Sequence, residues 1–358
     1  MKLVQWFLCV DPLGEQRSDI NREDDMRPTK LTRLVVGLAL IFSICVANLA
    51  LGGQDKTPSP TELISIVESG SAEERFEAVR ILGDMGPNAM EALPTLLSVL
   101  GDRTQFQVHD SGPTPQSHGA FTVLPKGSVW VYTNTGAQAA KALARIANPD
   151  ALVPILADSL SSANSNVREN AAHGLAAIGT QAEEAIAQLL AVIDASDGFD
   201  LDRDAAFSAL GKIGEPSVDS LVELLTHSQA RIRIDATRAL GSTGSTRAID
   251  HLIGQLSDSN VRVREASASA LAQIGAPAYE DVVGQLLADN PVRKRYAVMA
   301  LRKMGQEEAT GRIIPLLQSA DDELLEECAK ALEELSGEGF GTDYDEWLRW
   351  WREHEQPR

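Results

Sequence analysis

One pattern of about twelve residues recurs eight times in this chain, and that recurrence limits the possible folds more than any other feature. The copies are RFEAVRILGDMG, AQAAKALARIAN, VRENAAHGLAAIG, DRDAAFSALGKIG, IRIDATRALGSTG, VREASASALAQIG, RKRYAVMALRKMG and LLEECAKALEELSG. Their anchoring leucines are Leu82, Leu143, Leu175, Leu210, Leu240, Leu271, Leu301 and Leu332, separated by 61, 32, 35, 30, 31, 30 and 31 residues. The long first interval is one ordinary repeat plus an insertion of about thirty residues.

Four residues before each leucine stands a small side chain: Ala78, Ala139, Ala171, Ala206, Ala236, Ser267, Ala297 or Cys328. Three after it comes a mostly large apolar one, such as Met85, Ile146, Ile178, Ile213 or Ile274. Steps of four and three mark one helix face, with small residues where another helix must approach closely. A base sits seven before the leucine in six copies: Arg75, Arg168, Arg203, Arg233, Arg264 and Lys294. Its recurrence at an equivalent place points to a structural bond, to loop carbonyls or to acids of the next repeat. Gly86, Gly179, Gly214, Gly244, Gly275 and Gly305 then end the helices. Between them lie further helices such as PNAMEALPTLLSVL and PSVDSLVELL. Pro87, Pro149, Pro216 and Pro277 open four of these, and Pro94 and Pro315 should bend two of them. Ser59-Pro60-Thr61-Glu62 reads as a capping box. A helical hairpin of this size cannot bury its own apolar face, whereas a stack of them can. The expected fold is all-α: an α-solenoid of about eight hairpins with a β-hairpin-like insertion and a C-terminal capping helix.

The glycine-terminated V-R-x-x-A-x-x-A-L-x-x-I-G helix, alternating with a proline-started helix, resembles HEAT repeats of the short bacterial, phycobilisome-lyase-like kind, over roughly residues 61–336. The resemblance implies a scaffold that binds protein. The alternative it leaves open is a HEAT-repeat enzyme of the phycobilin lyase or isomerase type, which needs a cleft with a positioned acid or base; no residue stands out for that role. Deoxyhypusine hydroxylase, another HEAT-repeat enzyme, holds iron with His-Glu dyads. Of His109, His118, His173, His227, His251 and His354, only His354 is followed by Glu. The sequence has no Gly-rich phosphate loop and no nucleophile motif. The expectation is a non-enzymatic chain with no catalytic residue, no cofactor and no metal.

Charge and the N-terminal segment bear on partners and location. Acidic side chains outnumber basic ones by 51 to 32, a formal charge of −19, which disfavours nucleic acid as a partner. Three widely spaced cysteines form neither a zinc site nor a disulfide framework. Leu34 to Leu51 is the long apolar run, preceded by Arg27, Lys30 and Arg33 and followed by a polar stretch. This order of charges reads as a signal peptide or as an anchor that leaves the rest outside the cytoplasm, periplasmic or in the cell envelope. Met26 would begin a signal peptide of ordinary shape; starting at Met1, the run is internal and stays as an anchor. Contact with the membrane is expected only through this segment. The expected divisions are 1–33 as leader, 34–52 as signal or anchor, 53–60 as linker, 61–336 as solenoid with its insertion at 102–133, and 337–358 as a Trp-rich cap. The first 52 residues carry six bases and six acids, so the −19 belongs to the remainder.

Three places are candidates for recognition. If the second helix of each hairpin lines the concave side, the residues two before each leucine lie on it: Arg80, Lys141, His173, Ser208, Arg238, Ser269, Met299 and Lys330. So do those two after: Asp84, Arg145, Ala177, Lys212, Ser242, Gln273, Lys303 and Glu334. This ridge is less acidic than the chain, and Arg80, Lys141, Arg145, His173, Lys212 and Arg238 are its candidate contacts for a partner protein, through an acidic segment, or for a polyanion. In the insertion, FTVL and VWVYT flank Pro125-Lys126-Gly127-Ser128 as a hairpin, with QFQVH as a third strand. Phe121, Trp130 and Tyr132 are its candidate contacts. In the tail, Trp347, Trp350 and Trp351 share a helix face, which suits a cap over the last apolar edge, with an aromatic ligand platform as the alternative.

Overall fold

The computed structural model describes residues 58–110, 122–123, 129–195 and 201–354, with backbone alone for 106–110, 122–123 and 129–132. The apolar run 34–51, both candidate starts and the linker up to residue 57 lie outside the described residues, as do 355–358 of the cap. Within the described residues no helix is long and apolar enough to cross a membrane.

The helices pair in the order the repeat predicts. The first hairpin is α1 (Pro60–Ser69) and α2 (Ala72–Met85), and the second is α3 (Leu93–Ser98) and α4 (Thr135–Ile146). Then come α5 (Pro149–Ser159) with α6 (Ser165–Ile178), α7 (Ile186–Ala195) with α8 (Leu201–Ile213), and α9 (Val218–Leu224) with α10 (Ala230–Thr243). The series closes with α11 (Ile249–Gln255) and α12 (Val261–Ile274), α13 (Tyr279–Gly284) and α14 (Pro291–Met304), α15 (Ala309–Ile313) and α16 (Asp322–Ser336), and the single helix α17 (Tyr344–His354). Each second helix packs on the next, from α2 through α16. Every anchoring leucine is 0% exposed, and each small residue four before it is buried. Burial of one such leucine contributes roughly 1.5–3 kcal/mol, so the row of eight is the spine of the core. Where the small residue is Ser267, its hydroxyl donates to the Leu252 carbonyl, which satisfies the polar group inside the core.

Local chemistry sets the helix ends. At Ser59 the capping box is complete: the Glu62 N–H donates to the Ser59 hydroxyl at 3.3 Å, and the Ser59 N–H donates to the Glu62 carboxylate at 2.8 Å. The first helices are shorter than expected because their prolines and small residues start tight 3-10 turns. Gly86–Ala92 precedes α3, with Pro94 in that helix's first turn, and Pro315 falls in the turn Ile314–Gln318 after α15. Gly241 in α10 shows why small residues recur on the packing face. A Cβ there would stand 2.7 Å from the Cβ of Ala270 on α12, closer than side-chain carbons pack.

In three copies, Arg75, Arg168 and Arg233, the recurring base bonds across repeats. Arg233 on α10 donates to Asp258 on the next loop twice, at 2.9 Å each, and to the carbonyls of His227 at 2.8 Å and Ser228 at 3.2 Å. Arg168 reaches Asp202 at 2.7 Å and the Ser162 carbonyl at 2.8 Å; Arg75 lies 3.1 Å from Asp102. Arg264 keeps the carbonyl bonds, to Asp258 at 2.7 Å and Ser259 at 3.3 Å, and lies 5.1 Å from the centre of the Tyr296 ring.

The insertion lies between the two helices of the second hairpin, and its pairing differs from the expected one. Strands β1 (Gln105–Asp110), β2 (Thr122–Val123) and β3 (Val129–Asn134) form a sheet in the order β1-β3-β2. The main pairing is antiparallel between β1 and β3, from Gln105 opposite Asn134 to Asp110 opposite Val129. Of the hairpin expected around 125–128, the described residues include two pairs, Thr122 with Trp130 and Val123 with Val129. Pro125, which has no N–H to donate, follows Val123 by two residues, while QFQVHD has no proline and matches VWVYTN in length. The stem is tied to the repeats: the Gly136 N–H donates to the Asp102 carbonyl at 3.0 Å, and Asn134 caps α4 through the Ala137 N–H at 2.7 Å. Across the hairpin boundary, buried Asn170 donates to the Leu100 carbonyl at 2.8 Å.

At the C-terminus, α17 packs on the 3-10 turn Ile314–Gln318. Trp347 is 0% exposed, meets Phe340 edge to face at 4.8 Å, and donates its indole N–H to the Gly341 carbonyl at 2.8 Å. Trp351 lies against Gly311, where a Cβ would come within 2.6 Å of the indole. The three tryptophans therefore cover the last hairpin.

Candidate functional site

The ridge on the second helices is built by the same periodicity that builds the core. With the leucine and the residue four before it turned inward, the positions two before and two after point away. Of the sixteen side chains there, fourteen are exposed, and His173 and Met299 are partly so. The expected row is thus continuous from α2 to α16.

Its charge differs from what the residue names alone imply. Arg80 donates to Glu77 at 2.9 Å and to Asp84 at 2.8 Å, and Arg145 donates to the same Asp84 at 2.9 Å. Helical spacing places those carboxylates beside the arginines, so this end of the ridge carries little free positive charge. Arg238 lies 3.7 Å from Asp235, whose other oxygen takes the Arg231 guanidinium at 2.7 Å. Burial pushes the Asp235 carboxyl above its ordinary pKa, against the pull of Arg231. Glu169 is raised for the same reason, with Arg103 pulling it down, and lies 4.0 Å from His173. The His173 imidazole is held below its ordinary pKa, by burial first and by the charge of Lys141 second. Lys141 and Lys212 have no carboxylate within ion-pair distance among the described residues. Phe121 lies outside the described residues, and for Trp130 and Tyr132 only the strand backbone is described.

The ridge deepens in one place. Arg238 and Ser242 of α10, Arg262, Glu265, Ser269 and Gln273 of α12, and Met299, Arg302 and Lys303 of α14 line a depression of about 600 Å³. Arg302 is bound by Glu327 at 2.9 Å and Glu334 at 2.7 Å, from α16. Arg262 and Lys303 are exposed and have no carboxylate within 4.0 Å among the described residues. Arg262 is missed by a search of the positions two before and two after the leucine. It stands seven residues before Ser269, two helical turns away on the same face, and extending the row by two turns would have found it. A second depression, lined by Leu160, Arg168, Gln188, Val192 and Asp202 among others, lies on the side of the first helices. Among the described residues no three His, Cys, Asp or Glu side chains converge as metal ligands, and His109, Asp110 and His118 are outside the described side chains. Cys328, buried in the core, has its thiol pushed up to about 12 by that burial.

A comparison with curated proteins gives no match. Among solved structures, the chain is similar to an engineered protein, at 22% identity and a TM-score of 0.34, covering 78% of this chain and 79% of that one. It is similar to the complex of CpcE and CpcF of phycocyanin lyase from Nostoc sp. PCC7120, at 20% identity and a TM-score of 0.37, covering 79% and 97%. Importin beta matches at 15% identity and a TM-score of 0.40, covering 77% and 41%. The family described as HEAT repeats matches residues 133–211, 186–272 and 218–297. Residues 133–297 of this chain are HEAT repeats, as the recurring helix pattern had implied.

Proposed function

We propose that the chain is a protein-binding scaffold without catalytic chemistry of its own, that it works outside the cytoplasm, and that partners lie along the ridge of its second helices. The observation that carries this reading is the row of side chains at two fixed positions of eight stacked helices, fourteen of the sixteen exposed. HEAT repeats typically bind proteins, and a long row of independent contacts suits an extended partner better than a compact substrate. The bases ahead of the apolar run 34–51 support export, with that run as signal peptide or anchor. The insertion at 102–133 emerges inside a hairpin and is the second candidate contact surface, with Phe121, Trp130 and Tyr132.

The test is affinity capture from the envelope fraction with the full chain. Three baits are compared: the unaltered chain, a chain lacking 102–133, and one with Arg80, Lys141, Arg145 and Arg238 all changed to Glu. Loss of the captured set in the charge-reversed bait supports the ridge; loss only in the deletion moves recognition to the insertion. A captured set that is the same for all three baits overturns both.

A further inference from the structure

The depression between α10, α12 and α14 combines two kinds of group that rarely meet on so acidic a chain. Four cations line it, Arg238, Arg262, Arg302 and Lys303, against one carboxylate, Glu265. Glu327 and Glu334 answer Arg302, and Asp235 partly answers Arg238. Arg262, in the first turn of α12, and Lys303, in the last turn of α14, remain as exposed charges. Between them lie neutral acceptors. Ser269 spends its proton on the Glu265 carbonyl at 2.9 Å, so its oxygen faces out as an acceptor. The amide nitrogen of Gln273 reaches Ser242 at 3.5 Å, which leaves the amide oxygen to accept as well.

We infer that this depression, taken as part of the partner surface proposed above, docks an acidic segment of a partner protein. Arg262 and Lys303 take its Asp or Glu carboxylates, and the oxygens of Ser269 and Gln273 accept from its main-chain N–H groups. The acceptors decide between classes of occupant. A polypeptide brings a donor at nearly every residue, whereas a phosphate backbone brings none. The lining also has no aromatic ring on which a base could stack, and the −19 charge of the chain repels a polyphosphate at longer range. Small side chains at Ser242, Ala266, Ser269 and Ala270 leave room for a backbone to lie close to the helices.

The test uses the full chain and fluorescence anisotropy with three labelled probes: octaglutamate, octalysine and decathymidylate. Octaglutamate is expected to bind, to weaken by about tenfold or more in Arg262→Glu/Lys303→Glu, and to lose affinity as salt is raised. Arg262→Gln/Lys303→Gln should fall between the two. The control Arg247→Glu/Arg312→Glu, which changes the net charge equally, in the turn before α11 and on α15, should leave octaglutamate binding within about twofold. All the substituted side chains are exposed, and far-ultraviolet circular dichroism checks that each variant keeps its helices. Absence of octaglutamate binding, equal loss in the control, or tighter binding of decathymidylate that the same reversal removes would each overturn the inference. The scaffold reading fails separately, when the reversed ridge captures the same set as the unaltered chain while octaglutamate still binds the depression.

Discussion

Removal of the Asp258 carboxylate should destabilise the array far more than removal of an exposed one, and the difference can be worked from geometry. Arg233 and Asp258 keep 13% and 11% of their side-chain surface exposed and share two bonds of 2.9 Å. Asp258 also accepts the Asn260 N–H at 2.7 Å, at the start of α12. Asp258→Ala therefore takes two charge-assisted bonds from a mostly buried guanidinium and loosens a helix start. Each charged bond contributes about 1.5–3 kcal/mol, but bonds to one group do not add fully. The two carbonyls of His227 and Ser228 still hold Arg233 in place, so the expected loss is about 2–3 kcal/mol. The comparison is Asp219→Ala, which breaks a pair whose members are 52% and 79% exposed, at Arg247 and Asp219. Such pairs contribute roughly 0–1 kcal/mol. Urea unfolding followed by circular dichroism measures both, and hydrogen exchange locates the effect. In a stack where each repeat touches only its neighbours, extra exchange should be confined to α10 through α12. Equal losses for the two variants, or protection lost evenly along the chain, would refute the idea that the recurring arginine is a clasp between repeats.

Four further outcomes are expected. Burial opposes ionisation of Asp258, but the bonds from Arg233 and Asn260 and the charge of Arg233 outweigh it and hold the carboxyl below its ordinary pKa. The clasp's contribution is then complete above the unfolded-state value of about 3.9 and is lost as pH falls through the lower folded value; melting of Asp258→Asn should be less acid-sensitive than that of the parent. At Gly275 (φ 77°, ψ −135°) only glycine is comfortable, whereas Gly305 (φ 69°, ψ 28°) is left-handed helical, so Asn should be tolerated at 305 and should cost about 1–3 kcal/mol at 275 in thermal unfolding. Trp347→Ala should cost about 3–5 kcal/mol and expose the last hairpin, seen as urea sensitivity and as dye binding to apolar surface. Gly241→Leu should cost more than about 1–3 kcal/mol, because the side chain has nowhere to go without parting α10 from α12.

The core was legible because each of its positions repeats the same physical task. Leu82 and Leu332 lie at opposite ends of the array, yet both are found by the same step of four and three, and both are fully buried. Ser59 and Gly179 are equally readable, since a cap needs only its own neighbours. The first helices were less so. Their prolines marked the right places, but whether Pro315 bends an α-helix or opens a 3-10 turn depends on packing against α16 and α17 that no local pattern records. The insertion was harder again. FTVL and QFQVH have similar strand character, and the choice of main partner for VWVYTN is a matter of register and length. Free charge on the ridge was legible within one helix, by steps of three and four, and illegible across helices, where Arg145 of α4 shares Asp84 of α2. Arg80 looks like a contact until Glu77 and Asp84, three before and four after, are seen to hold it.

The eight copies also separate structural from variable positions within a single chain. The leucine is kept in all eight, the residue four before it stays small, and the base seven before bonds loop carbonyls in Arg168, Arg233 and Arg264. Those positions are tied to packing and can carry no information about a partner. The residues two before the leucine run Arg, Lys, His, Ser, Arg, Ser, Met, Lys, and the two-after row is as mixed. Fourteen of the sixteen face water, and they differ from copy to copy by charge and size. A position that the fold leaves loosely constrained holds five kinds of side chain over eight places along one surface, so specificity can be written there without disturbing the stack. Lys303 stands in the two-after row and Arg262 two turns before Ser269 on the same face. Both are exposed without a carboxylate in reach among the described residues, so they weigh more in the reading of recognition than the arginines engaged between repeats.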